Sequence, residues 1–504
     1  MRRRLHEVVQ WTEGYRATLA AIGSVAAMGV LLRLHNLGGE SLWGDEVVSL
    51  WQAKGSLADV IWSTAHDNYP PLNNLAISAA IKLFGSSEWS LRLPSAIFGI
   101  ANIVALWWLG TMTVGRTAGL IGAGMLTLSP FHLEYSQEGR MYSLLALAAT
   151  LYAATCFHYL RAPSLRRNVW ASLAGLALVY SHPYGALYWV VIALAFGVFV
   201  LSSTSAPTKA MRVWTVSNVA IAVGFSPWAL VLVHRTHFIS ATYSWMPPLT
   251  TTSVLAALKA LVAGRVAVAG GTLFAGVVLI GMVLGVVGRL RRDVLVFYVW
   301  IVGPVVIGIM GSILWKPLFQ PRYVIGSLPP LLLLSAFGWA KYTESWHGAM
   351  VPTTVIMLVA GVGLAYLYYN YSWYPKNDFR SVAFFLDQQE QQGDCILLVP
   401  EFETVALNLY RRNFDLNTDK LREKLENAAL ASCEVGARKI TDLPPKIPAT
   451  VLFGIFGSTE DELSNPPDNP AAFVDELGRR GWRDLDRTNF QGVLLVIFVR
   501  RQGF

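Results

Sequence analysis

LWGDEVVSLWQAKGSLADVIWSTAHDNYPPLNNL, residues 42–75, sets Asp45, Glu46, Asp59 and Asp67 between two long apolar runs. Carboxylates so placed are either solvated anchors or working groups at a bilayer surface, depending on what flanks them. Here the flanks are membrane. The chain of 504 residues is 54% hydrophobic and 14% charged, with a mean hydropathy of +0.44, whereas a soluble domain has roughly 25% charged residues. A helix needs about 20 apolar residues to cross a bilayer, and on that measure about eleven segments before residue 370 qualify. Their centres lie near Ala26, Ala101, Ala123, Ala148, Leu176, Leu194, Val223, Val278, Val302, Leu332 and Leu358. The chain therefore reads as a polytopic α-helical membrane protein.

Orientation follows from the basic residues, which favour cytoplasmic loops. Arg2 to Arg4, Arg116, Arg161 with Arg166 and Arg167, Lys209 with Arg212, Arg289 with Arg291 and Arg292, and Lys341 fall on one side if the spans alternate. The amino end is then cytoplasmic. It leads into an apolar run longer than a signal-peptide core and is expected to be an uncleaved first span. The other, extracytoplasmic side receives the loop 36–90, FHLEYSQEGR (131–140), SHPYG (181–185) and WKPLFQPRY (315–323). Residues 254–268, short and interrupted by Gly264 and Arg265, read as an interfacial helix. The net charge of +8 sits in short clusters between apolar segments, which excludes nucleic-acid binding and leaves the lipid bilayer as the evident partner.

Two parts result, a membrane part at 1–370 and a tail at 371–504. In the tail, strand-length runs CILLVP (395–400), TVLFGIF (450–456) and VLLVIFV (493–499) alternate with helix-like stretches at 403–411 and 471–480. That alternation predicts an extracytoplasmic α/β domain. It lacks a phosphate-cradling glycine fingerprint. Three cysteines, Cys156, Cys395 and Cys433, have no metal-ligand spacing; a Cys395–Cys433 disulfide is one option.

Several residues on the extracytoplasmic side can carry chemistry. Asp45 and Glu46 precede Val47, Val48, Leu50 and Trp51, whose spacing suits an amphipathic helix lying on the membrane. Alternatively the pair merely begins that helix, where a carboxylate is favoured by about 0.3–1 kcal/mol. Asp59 reads as a solvated helix position. Asp67 is either a solvated turn residue or a site residue; Tyr69, before Pro70, is extended, and Pro71 can open the next helix. Glu138, Arg140 and Tyr142 lie at the outer end of a span. Carboxylates gathered there repel unless a cation or proton compensates, so Glu138, Asp45 and Asp67 form a candidate site for Mg²⁺, Mn²⁺ or Ca²⁺, with a metal-independent mechanism as the other reading. Lys316 and Arg322 are either snorkelling anchors or phosphate ligands. His182 is a candidate polar group; His234 and His237 show no ligand spacing.

In order, WGDE in the first outer loop, PPL, an E-x-R-x-Y at a span's outer end and a late RY before a Pro-containing span resemble the GT-C membrane glycosyltransferases. Among these, the pattern looks like the branch of the protein O-mannosyltransferases and the lipid A aminoarabinose transferases. The resemblance implies inverting transfer of a sugar from a polyprenyl-phosphate donor to a lipid, glycan or protein acceptor at the extracytoplasmic face. It implies Asp45 at the catalytic centre with Glu46 beside it, and Glu138 as a second acidic residue. Arg140, Arg322 and Lys316 then face the donor phosphate, while Asp67, Tyr69, Tyr142 and His182 face substrate. The chain departs from the family's HxPPL signature, reading HDNYPPL, so no role passes to His66. Two other classes compete, a transporter or flippase of a lipid-linked sugar and a non-catalytic scaffold with an exported binding domain. A transporter commonly shows repeated halves and midplane ionisable groups; neither is visible here.

Overall fold

The computed structural model describes residues 2–67, 69–203, 207–238, 249–264, 269–286, 292–315, 319–345, 361, 377–389, 394–399, 404–411, 434–436, 443, 447, 451–457, 470–490 and 493–500. The helices of the membrane part are α1 (Arg2–Leu34), α2 (Gly44–Gln52), α3 (Leu57–Ala65), α4 (Leu72–Phe84), α5 (Glu88–Thr113), α6 (Arg116–Leu128), α7 (Pro130–Ser136), α8 (Tyr142–Arg161), α9 (Leu165–Val179), α10 (Pro183–Ser203), α11 (Pro207–Phe238), α12 (Thr251–Ala263), α13 (Ala269–Val286), α14 (Arg292–Leu314) and α15 (Leu328–Ser345). A 3₁₀ turn, Pro321–Ser327, leads into α15. Every expected span centre from Ala26 to Leu332 falls inside a helix, and Leu358 lies outside the described residues.

Six helical segments among the described residues are long and apolar enough to cross a bilayer on their own. Helices α6 and α9, where spans were also expected, have only 13 and 15 residues. Large apolar side chains face outward along the longer helices, including Leu194, Val198, Val223, Leu230, Val283 and Ile313. An apolar exterior of this extent suits lipid, not water. The protein is a multi-pass membrane protein.

Chain direction fixes where the loops go. Helix α5 runs away from the segment 36–90, α6 returns, and α8 and α10 again run away. At the far end the Arg161 guanidinium donates to the Met112 carbonyl at the end of α5. Arg116, Arg161, Arg166 and Arg167 thus share one end, about 30 Å from the start of α8 at 1.5 Å per residue.

The tail forms a mixed sheet of β1 (Cys395–Val399), β2 (Glu434–Gly436), β3 (Val451–Gly457), β4 (Trp482–Phe490) and β5 (Val493–Arg500), in the order β2-β1-β3-β5-β4. Strand β1 is parallel to β2 and β3, and β3, β5 and β4 are mutually antiparallel neighbours. Helices α16 (Phe379–Gln389), α17 (Thr404–Arg411) and α18 (Pro470–Arg479) accompany it. Cys395 is disulfide-bonded and Cys156 is a buried free thiol; Cys433 lies outside the described residues.

The sheet does not stand apart from the first loop. Leu42, Val47 and Leu50 share one core with Phe379, Val382, Leu407 and Ile455. The expectation that α2 lies on the membrane is therefore corrected: its apolar face is covered by the tail. Three contacts pin the junction. Tyr410 Oη accepts from Leu42 N at 2.6 Å, Ser41 Oγ donates to Asn377 O at 2.6 Å, and Arg380 pairs with Glu88. Helix α3 instead leaves Leu57, Ile61 and Trp62 exposed. Asp59 is exposed in the first turn of α3, as expected, and closes a capping box with Ser56.

Candidate active site

The carboxylate of Asp45 lies between two guanidiniums. Its Oδ2 is 3.6 Å from Arg140 Nη2 and 3.9 Å from Arg322 Nη1. The Asp45 side chain is 36% exposed, whereas those of Arg140 and Arg322 are only 4% and 9% exposed. Asp45 occupies the first turn of α2. Arg140 comes from the loop before α8, and Arg322 from the 3₁₀ turn before α15. Residues distant in sequence thus meet at one end of the helical part.

Each arginine is held. Arg140 Nη1 donates to Ser49 Oγ at 2.9 Å and to Asp45 O at 3.2 Å. Its guanidinium lies 5.0 Å from the Tyr69 ring centre, and its carbonyl accepts from Ser95 Oγ at 3.0 Å. Arg322 lies 5.8 Å from the Tyr142 ring centre and 5.9 Å from that of Tyr323. Such cation–π contacts hold a guanidinium without neutralising it.

Glu46 was expected beside Asp45 in the catalytic centre, and the structure corrects this. It is fully buried and faces the opposite way, accepting from Arg92 Nε at 2.8 Å and from Arg92 Nη2 at 2.7 Å. Its Oε1 also accepts from Gly139 N at 2.8 Å. A Cβ at position 139 would come within 2.8 Å of Leu91 Cγ, so a larger residue here would have to displace the buried Leu91. Arg92 further donates to the carbonyls of Leu37, Glu40 and Ser41. Glu46 and Arg92 therefore join the start of α2 to α5 and to the loop that carries Arg140.

The three carboxylates expected as metal ligands lie apart in their contacts. Among the described residues no three His, Cys, Asp or Glu side chains could hold a metal ion together. Asp45 faces its two arginines, and Asp67 accepts from Gln52 Nε2 at 2.7 Å, with Gln52 in turn accepting from Asn74. Glu138 is buried in the loop before α8. Lys316 lies outside the described residues.

Aromatic rings line the same place. Tyr69 Oη and Tyr323 Oη are 3.3 Å apart. The His182 ring centre lies 4.7 Å from that of Tyr323, 5.4 Å from Tyr69 and 5.9 Å from Tyr142. Burial, reinforced by the nearby Tyr323, holds the Tyr69 hydroxyl well above its usual pKa, so it stays a neutral donor. Burial also pushes His182 well below the usual imidazole value, and the charges of Arg140 and Arg322 add to that. The tight turn from α9 into α10 that presents His182 needs Gly185, where a Cβ would collide with Leu178 O at 1.9 Å.

Helix starts add to the charge. Helices α2, α8 and α10 begin at or beside the site, and a helix amino end carries about half a positive charge. Two buried guanidiniums, three helix starts and one partly exposed carboxylate make a place that suits an anion next to a proton acceptor. Tyr184 belongs to this assembly beyond the residues expected from sequence, and Arg92 supports it from behind through Glu46.

Comparison with solved structures fits this arrangement. ArnT from Cupriavidus metallidurans bound to undecaprenyl phosphate matches with a TM-score of 0.56 and 13% identity, over 94% of this chain and 97% of that one. AglB from Archaeoglobus fulgidus, in complex with an inhibitory peptide and a dolichol-phosphate, matches with a TM-score of 0.54 and 12% identity, over 98% and 75%. The chain has the GT-C fold. Within this GT-C scaffold, residues 68–231 match the family described as dolichyl-phosphate-mannose-protein mannosyltransferase. A curated relative, the putative mannosyltransferase YkcB of Bacillus subtilis (strain 168), is 24% identical over 164 residues, which are 32% of this chain. The match spans 22% of that relative's length. The family match covers Tyr69, Arg140, Tyr142 and His182 of the GT-C site but begins after Asp45.

Proposed function

We propose that this protein is an integral-membrane glycosyltransferase that moves a sugar from a polyprenyl-phosphate donor to a lipid, glycan or protein acceptor at the extracytoplasmic face. The observation that carries this reading is Asp45 between Arg140 and Arg322. Charge-assisted hydrogen bonds to a carboxylate run about 2.7–2.9 Å, and both contacts of Asp45 are longer. The arginines attract Asp45 without capturing it. A phosphate entering between them would take over their donors and leave the carboxylate free to act as a base.

The reaction then balances simply. The acceptor hydroxyl oxygen attacks the anomeric carbon on the face opposite the phosphate, and a new C–O bond forms as the bond to the phosphate oxygen breaks. The hydroxyl proton passes to Asp45. The bonding electron pair leaves on the carrier phosphate, where Arg140, Arg322 and the helix starts meet the added negative charge. Attack from the opposite face inverts the anomeric configuration. Lys316 is retained as a further phosphate ligand on its sequence position alone.

Two further points support the reading. Neighbours of the same fold were solved with undecaprenyl phosphate and with dolichol-phosphate. In addition, the arginines at the end of the helical part far from Asp45 suit a cytoplasmic side, and in this reading Asp45 and the tail lie outside. A lipid carrier, unlike a nucleotide sugar, can be delivered there. The test is to reconstitute the protein in nanodiscs with a bacterial lipid extract carrying radiolabelled polyprenyl-phosphate sugars. Label should leave the lipid-phosphate fraction and appear in a new glycoside; loss no faster than in protein-free nanodiscs would overturn the proposal.

A further inference from the structure

His182 contributes something the reaction above does not use. Its side chain is 1% exposed. Nδ1 accepts a hydrogen bond from the backbone N–H of Tyr184 at 3.0 Å, in the first turn of α10. A nitrogen that accepts cannot carry the proton, so the ring proton of the neutral imidazole sits on Nε2. That Nε2–H is buried with no hydrogen-bond partner among the described residues. Tyr142 Oη and Arg140 Nε, on side chains of the same cluster, are buried and unpartnered too among the described residues.

A buried donor without an acceptor is costly in a native protein, and three of them in one side-chain cluster point to a ligand bearing several acceptor oxygens. The charge around them selects the ligand further. His182 faces Tyr69, Tyr142, Tyr184 and Tyr323, and feels the charges of Arg140 and Arg322. Neutral O–H and N–H donors beside two guanidiniums suit the oxygens of a phosphate ester, not a cation or an apolar group. We propose that the Nε2–H of His182 donates a hydrogen bond to a phosphate oxygen of the lipid-linked substrate, an assignment that rests on the glycosyltransferase reading. His182 is then a neutral phosphate ligand, not a general base. The helix start of α10 fixes its tautomer by occupying Nδ1.

The assignment separates two amide substitutions. In His182→Asn the amide oxygen can still accept from Tyr184 N but no donor reaches the Nε2 position; in His182→Gln a donor reaches it. The full-length protein in nanodiscs is titrated with undecaprenyl phosphate, with undecaprenol as the phosphate-free control and inorganic phosphate as a competitor. Affinity for undecaprenyl phosphate should fall about tenfold in His182→Asn and stay within about threefold of wild type in His182→Gln, with undecaprenol unaffected, for a single hydrogen bond to a charged group. Between pH 8 and 6 wild type and His182→Gln should share one pH dependence, that of the lipid phosphate's own second ionisation, because a donor that does not titrate adds none. Equal affinity in His182→Asn and wild type would overturn the assignment, as would tighter binding at pH 6 that the Asn variant abolishes. Displacement of the lipid by inorganic phosphate at an equal concentration would show that the pocket recognises free phosphate instead. If wild type does not bind undecaprenyl phosphate above undecaprenol, the glycosyltransferase reading itself fails; if it binds and His182→Asn leaves its affinity unchanged, that reading stands and this one falls.

Discussion

The Glu46 carboxylate and the Arg92 guanidinium meet in two parallel hydrogen bonds of 2.8 and 2.7 Å, with neither side chain more than 2% exposed. The same carboxylate holds Gly139 N, next to Arg140. Removing one partner leaves a buried charge, which costs about 3–5 kcal/mol. Glu46→Ala and Arg92→Ala should each lower thermal stability in detergent by that order. Replacing both with apolar residues, Glu46→Met with Arg92→Leu, should recover much of the stability but not the activity, because nothing then fixes Gly139. Recovery of wild-type activity in the double variant would show that the pair only stabilises.

Arg140 and Arg322 are expected to act on the donor, not on the fold's interior. Each charge-assisted contact to phosphate is worth about 1.5–3 kcal/mol. Arg140→Ala and Arg322→Ala should therefore weaken binding of undecaprenyl phosphate by about 10- to 100-fold, and lysine should restore it only in part, lacking the planar fork. Isothermal titration in nanodiscs measures this. Unchanged affinity in both variants would remove them from the phosphate site.

Acid should destabilise the protein through its buried histidines. Burial depresses His182, and burial together with the Arg33 charge depresses His132. In the unfolded chain both take up a proton near pH 6.5, while the folded state resists it. Their contribution is complete above about pH 6.5 and declines as pH falls toward the lower folded values. Thermal unfolding between pH 8 and 5 should show this decline, lessened in His182→Gln. A stability that rises below pH 6.5 would contradict it.

A related question concerns divalent cations. Since Glu138, Asp45 and Asp67 do not gather into one donor set, transfer should persist unchanged in EDTA. Loss of activity restored by Mg²⁺ or Mn²⁺ would reveal an ion held in another way, for instance with the donor phosphate as a ligand.

Much of this was legible in the chain itself. Apolar runs of span length placed the helices, and alternation of the basic loops brought Asp45, Arg140 and Arg322 to one side. Glu46 was misread because its partner lies 46 residues away; an arginine one turn inside an apolar helix, at Arg92, was the available signal, since ionisable groups in such places need partners. The cover over α2 was hidden for a similar reason. Val47 and Leu50 are apolar whether they face lipid or the tail, and periodicity does not distinguish the two. Strand β4 escaped because residues 483–487 are exposed on both faces of an edge strand, with a bulge between Asp484 and Asp486, and so show no alternation. The value of His182 lay in a hydrogen bond to its second neighbour, which no spacing rule expresses.

The central claim is that Asp45 takes the acceptor's proton. The most direct measurement is the rate at which wild type and Asp45→Asn, purified and folded alike by thermal unfolding, consume radiolabelled polyprenyl-phosphate sugar in nanodiscs containing bacterial lipid extract. Loss of a general base costs about 10²- to 10⁴-fold, so the variant should still bind undecaprenyl phosphate but consume donor at no more than about a hundredth of the wild-type rate. Consumption by Asp45→Asn at the wild-type rate would contradict the account.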